Sequence, residues 1–140
     1  MKRKASAVWQ GGLKDGKGTI SAESGTLTNT PYSFAKRFEN EKGTNPEELV
    51  AAAHAACFSM ALSLFLGEAG MTAQSIETQA TVSLDKMDTG FAVTSSHLQT
   101  TVKIPNADKA KFEKAVETAK SGCPISKLLN AKITMDAKLA

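Results

Sequence analysis

The sequence predicts an α+β fold with mostly antiparallel sheet. Three observations carry this expectation. Residues 75–86 and 91–104 alternate apolar and polar side chains on either side of the turn Met87-Asp88-Thr89-Gly90. A long helical signal without charge begins at Asn45. An amphipathic stretch over 106–121 is then followed by a last alternating run over 132–139. The 140 residues suit a single domain, 1–140, large enough to bury a core without a metal or disulfide staple.

In chain order, Ala5, Ala7 and Trp9 alternate as a first strand, and Asp15-Gly16-Lys17-Gly18 marks a turn. A short second strand is expected over Thr19–Ala22, and a third near Thr26–Leu27. In 32–39, Pro31 and the Phe34/Phe38 spacing favour a helical turn. Asn45-Pro46-Glu47-Glu48 reads as an N-cap, a proline at the first helical position and two acids at the positive end of the dipole. The helix is expected to reach about Glu68, stopping near Gly67 or Gly70.

Leu49–Leu66 holds eighteen residues without formal charge, the length of a membrane span. Six are alanine, with two serines, a histidine and a cysteine, and acids flank both ends. We read it instead as a helix buried all round, with a small-residue stripe of Ala52, Ala56, Ser59 and Ser63 for close helix approach. In the second half, the apolar positions of 91–104 shift phase from odd (Phe91, Val93) to even (Leu98 onward). One extra residue within Thr94–His97, a bulge, reconciles them. Asn106–Ser121 presents Phe112, Ala115, Val116 and Ala119 on one face, and Gly122 is placed to stop it. Pro124 can open a new turn, and Lys132–Leu139 closes the chain as a strand.

The net charge is +3, but its distribution says more: residues 1–44 carry +4, 45–100 carry −5 and 101–140 carry +4. An acidic middle between basic ends, with 6% aromatic residues, argues against a nucleic-acid surface. The charged start, MKRKASAVWQ, lacks the apolar run of a secretory signal, so a cytoplasmic location is expected, where structural disulfides are rare.

Cys57 and Cys123 are the only cysteines. Cys57 lies within the apolar helix, as a small filler or as a nucleophile that would need a nearby cation. Gly122-Cys123-Pro124 sets the second sulfur at the start of a possible turn, where backbone N–H groups could stabilise a thiolate. With His54 and His97 they match no zinc spacing, so no metal is expected. A distant pair can instead act as attacking and resolving thiols.

His54, one helical turn before Cys57, is either a core histidine or the base of a Cys/His hydrolase. His97 is read as structural. Arg37 is a solvated charge or the missing cation. Glu47 and Cys57 are ten residues apart, about 15 Å along a helix and roughly 80° around it, so they cannot touch. Glu47 is left to orient an arginine, or to act in a site built between two chains.

The stretch Gly43-Thr44-Asn45-Pro46-Glu47-Glu48-Leu49, followed by Ala53-His54-Ala55-Ala56-Cys57-Phe58-Ser59-Met60-Ala61-Leu62, resembles the signature of the OsmC/Ohr family, with His54 as in its OsmC branch. Cys123-Pro124-Ile125-Ser126 resembles the family's second-cysteine motif. The resemblance covers essentially the whole chain. It implies an OsmC-like fold, a long buried central helix and an intertwined homodimer with active sites at the subunit interface. It also implies a thiol peroxidase for hydroperoxides, preferring organic ones, regenerated by an external dithiol and needing no cofactor. By motif, Cys57 matches the peroxidatic cysteine, Cys123 the resolving one, Glu47 the glutamate and Arg37 the arginine of the site. The alternatives from other classes are a hydrolase using Cys57 and His54, and a non-catalytic stress-induced binding protein.

Overall fold

The computed structural model describes all residues, 1–140, and divides into two compact units, Met1–Leu49 and Val50–Ala140. The first unit is a three-stranded antiparallel sheet followed by a short helix. Strands β1 (Ala5–Gln10), β2 (Lys17–Ala22) and β3 (Thr30–Tyr32) lie in the order β1-β2-β3. Gly18 is required at the crossing of two rings: a Cβ there would meet Tyr32 at 2.4 Å and Trp9 at 2.7 Å. The two rings themselves are 5.3 Å apart between centroids.

The third strand lies a few residues beyond the expected Thr26–Leu27. Its place is set by pairing of Thr30–Tyr32 with Gly18–Ile20, and Pro31 is tolerated because β3 is an edge. Helix α1 (Phe34–Phe38) is capped by Ser33, whose hydroxyl accepts from the Lys36 N–H.

Helix α2 (Pro46–Glu68) starts as the sequence predicts. The Asn45 side-chain oxygen accepts from the Glu48 N–H at 2.9 Å, and its amide donates to the Lys36 carbonyl at 3.1 Å. The helix ends in a Schellman turn: Gly70, at φ +79°, donates to Gly67 O, and the Met71 N–H reaches Leu66 O.

The second unit sets the rest of α2 with a second sheet, ordered β4-β5-β6, and helices α3 (Lys109–Gly122) and α4 (Pro124–Leu128). Strands β4 (Ser75–Met87) and β5 (Gly90–Lys103) form the expected antiparallel hairpin. Ser83 pairs with Ser95 but Leu84 pairs with Val93, so Thr94 is the extra residue that the phase shift predicted. Strand β6 (Lys132–Leu139) adds parallel to β5, the one parallel pairing in a mostly antiparallel fold.

Helix α3 begins three residues later than expected. Asn106 sits at φ +55°, outside helical space, and Asp108 caps the helix by accepting from the Lys111 N–H. Its buried face is the predicted Phe112, Ala115, Val116 and Ala119.

The core of this unit joins Phe58, Leu62 and Leu66 of α2 to Leu98 and Val102 of β5 and to the α3 face. In one chain α2 is buried along a single stripe, His54, Phe58, Leu62 and Leu66, rather than on every side. Its spacing of four residues is one ridge of the helix. Met60 remains 78% exposed and Leu64 59%.

Candidate active site

In the second unit, α2 and the α3–α4 junction bring the two cysteines together. Cys57 projects from the middle of α2. Cys123 ends α3 and starts α4: its N–H donates to Ala119 O at 2.9 Å, and its carbonyl accepts from Lys127 N–H at 3.1 Å. Pro124 fits the following position because it has no N–H to satisfy.

Both thiols are free, and the Cys123 thiol donates to the Cys57 sulfur with the two Sγ atoms 2.9 Å apart. A disulfide needs about 2.05 Å, so closing the pair takes less than an ångström of side-chain motion. Cys57 is half-buried, whereas Cys123 is fully sealed.

Burial pushes the Cys57 thiol above its ordinary value, and the hydrogen bond it shares with the Cys123 sulfur, with a smaller charge repulsion, adds to the rise; the Ile125 N–H, donating to the Cys57 sulfur, works against them. This corrects one expectation. The backbone donor after Gly122-Cys123-Pro124 serves the Cys57 sulfur, and Cys123 makes no side-chain cap bond of its own.

His54 lies on the same face of α2, fully buried. Its Nδ1 is 2.6 Å from Ser96 Oγ on β5, and its Nε2 is 2.8 Å from Ser126 Oγ on α4. Burial lowers its basicity, so it is a neutral ring with one serine accepting its proton and the other donating to its bare nitrogen. Both nitrogens are occupied, which leaves no base for a Cys/His hydrolase and makes His54 a core histidine. His97, three residues past the bulge, ties β5 to β6 through Thr134 at 2.6 Å and Asp136 at 3.3 Å.

In the first unit, Arg37 of α1 and Glu47 of α2's first turn form a bidentate pair. Arg37 Nε donates to both carboxylate oxygens, at 3.2 and 3.1 Å, and Nη2 donates to Oε1 at 2.7 Å. Arg37 is thus an exposed charge held as a fixed fork, with its guanidinium 5.2 Å from the Phe38 ring centre. Trp9, Leu13, Tyr32, Phe34, Phe38 and Arg37 line an open, mostly aromatic groove of about 240 Å³.

The structure therefore brings the four predicted residues together as two pairs, Cys57 with Cys123 and Arg37 with Glu47. Residues that sequence reasoning missed are Ser96, Ser126 and the Ile125 N–H. Ser126 stands inside the second-cysteine motif, but nothing in the sequence links it to a histidine 72 positions away.

Comparison with known proteins identifies the family. Residues 39–138 match the family described as OsmC-like protein. The chain is 58% identical to Peroxiredoxin OsmC of Escherichia coli K12 over 137 residues, covering 98% of this chain and 96% of that one. It is 31% identical to the organic hydroperoxide resistance protein OhrB of Bacillus subtilis over 123 residues, covering 87% and 88% of the two chains. The crystal structure of OhrB superposes with a TM-score of 0.70 over 96% of this chain and 98% of that one, at 29% identity. With the family model matched over residues 39–138 and a relative 58% identical across 98% of the chain, the chain belongs to the OsmC-like protein family.

Proposed function

We propose that this protein is a cysteine-based peroxidase that reduces hydroperoxides, organic ones in preference to hydrogen peroxide, with Cys57 attacking and Cys123 resolving. The observation that carries the reading is the 2.9 Å approach of two free thiols from positions 66 residues apart. The family and the names of its members, a peroxiredoxin and a hydroperoxide resistance protein, support it.

In this cycle the Cys57 thiolate attacks the terminal oxygen of a hydroperoxide. An S–O bond forms, the O–O bond breaks and an alcohol leaves with the proton. The Cys57 sulfenic acid is then attacked by Cys123, which releases water and forms the disulfide. An external dithiol supplies the two electrons that restore both thiols. We assign to Arg37 the cation that stabilises the thiolate and the charge on the departing oxygen, and to Glu47 the orientation of that fork. No metal or bound cofactor takes part.

We further propose that the working unit is a homodimer. The uncharged face of α2, with Met60 and Leu64 exposed, suits a second copy of the same surface. Its alanines and serines favour close helix packing. A cytoplasmic setting would supply the reducing dithiols the cycle consumes.

The test is consumption of cumene hydroperoxide and hydrogen peroxide with dithiothreitol as reductant. The wild type is expected to turn over both, the organic substrate faster, while Cys57→Ser is inert. Equal turnover by wild type and Cys57→Ser would sink the reading.

A further inference from the structure

His54 and Cys57 stand one turn apart on α2, and they face consecutive residues of α4: His54 meets Ser126, and Cys57 receives the Ile125 N–H. The imidazole is gripped from the other side by Ser96 of β5. Three elements thus meet on one buried ring. We propose that His54 is a positioning residue: through its bond to Ser126, and not through its bond to Ser96, it holds the Ile125 N–H against the Cys57 sulfur.

The geometry makes the two bonds unequal in consequence. Helix α4 is only five residues long, and its one side chain packed on the core is Ile125, which is partly buried. The His54–Ser126 bond is the side-chain hydrogen bond that ties it to α2. Losing that bond frees the peptide that carries the donor. Losing the Ser96 bond leaves α4 tied. The donor matters because a thiolate gains from each N–H aimed at it, and half-buried Cys57 has little water to replace one.

The inference rests on Cys57 being the reacting thiol of the proposed cycle, but its test needs no peroxide. In the Cys123→Ser background, the rate of Cys57 alkylation by iodoacetamide is followed at neutral pH in variants that cut one bond each. Ser126→Ala should slow the reaction about tenfold, the worth of one hydrogen bond to a charged group. Ser96→Ala removes a hydrogen bond from the same ring and should stay within about twofold of the parent.

The conservative pair gives a second reading. Glutamine places an amide where His54 Nε2 stood, so His54→Gln should keep the parent rate. Asparagine places one where Nδ1 stood, so His54→Asn should be slowed like Ser126→Ala. If the histidine variants do not fold, the serine pair decides. An unchanged rate in Ser126→Ala, or equal slowing in Ser96→Ala, overturns the proposal. A wild type that alkylates normally but consumes no hydroperoxide overturns the proposed function and leaves the positioning role standing.

Discussion

Cys57 and Cys123 touch, yet only one of them is open to a reagent. Cys57 is half-buried on α2, whereas Cys123, 2.9 Å away, has no exposed surface at all. Solvent access therefore separates two thiols that distance does not. A bulky maleimide is expected to label Cys57 in the native, reduced protein and to reach Cys123 only after unfolding in urea. Peptide mapping by mass spectrometry reads the ratio, and preferential native labelling of Cys123 would contradict the burial.

The Arg37–Glu47 fork predicts a catalytic loss out of proportion to its effect on stability. The arginine side chain is 37% exposed, so the pair adds little to folding. Arg37→Met should lower kcat/KM for cumene hydroperoxide about a hundredfold, the usual worth of one donor to developing charge. Its melting temperature should barely move. Arg37→Lys keeps the charge but loses the fork, and should fall between the two.

The buried neutral His54 predicts acid sensitivity. Its native pKa lies below the unfolded value near 6.5, so the unfolded chain binds the proton first. Stability from this residue is complete above 6.5 and is lost as the pH falls from there toward the native pKa. Urea midpoints across pH 7 to 5 should therefore drop in the wild type, and His54→Gln should flatten that slope. An identical slope in both proteins would remove His54 as its source.

The exposed face of α2 predicts the oligomeric state. Light scattering should give twice the chain mass of 14.8 kDa for the wild type. Met60→Glu with Leu64→Glu sets charges in the uncharged face and should yield monomers that stay folded, since neither side chain belongs to the buried core. A wild type that elutes as a folded monomer would contradict the dimer.

What the sequence disclosed was mostly local. The Asn45 cap and the extent of α2 follow from contacts within one turn. The bulge at Thr94 follows from a phase count along one strand. Strand β3 lies beyond the expected Thr26–Leu27 because three residues carry no periodicity, and pairing with β2 alone decides where they lie. Helix α3 starts later than the sequence indicates because the left-handed Asn106 leaves no mark in the apolar pattern. At the candidate site, helix geometry freed Glu47 to orient an arginine, but the pairing of Cys57 with Cys123 came from family resemblance. The His54–Ser96 and His54–Ser126 bonds were invisible, since each joins positions 42 or more residues apart through side chains common in any loop or strand.

The division of labour between the cysteines is tested most directly by trapping the first oxidised sulfur. Each single variant, Cys57→Ser and Cys123→Ser, is treated with limiting cumene hydroperoxide and a sulfenic-acid trap, then mapped by mass spectrometry. First attack by Cys57 leaves a trapped sulfenic acid on Cys57 in Cys123→Ser and none on Cys123 in Cys57→Ser. A sulfenic acid that forms on Cys123 in Cys57→Ser, with Cys57 unmodified in Cys123→Ser, would contradict it.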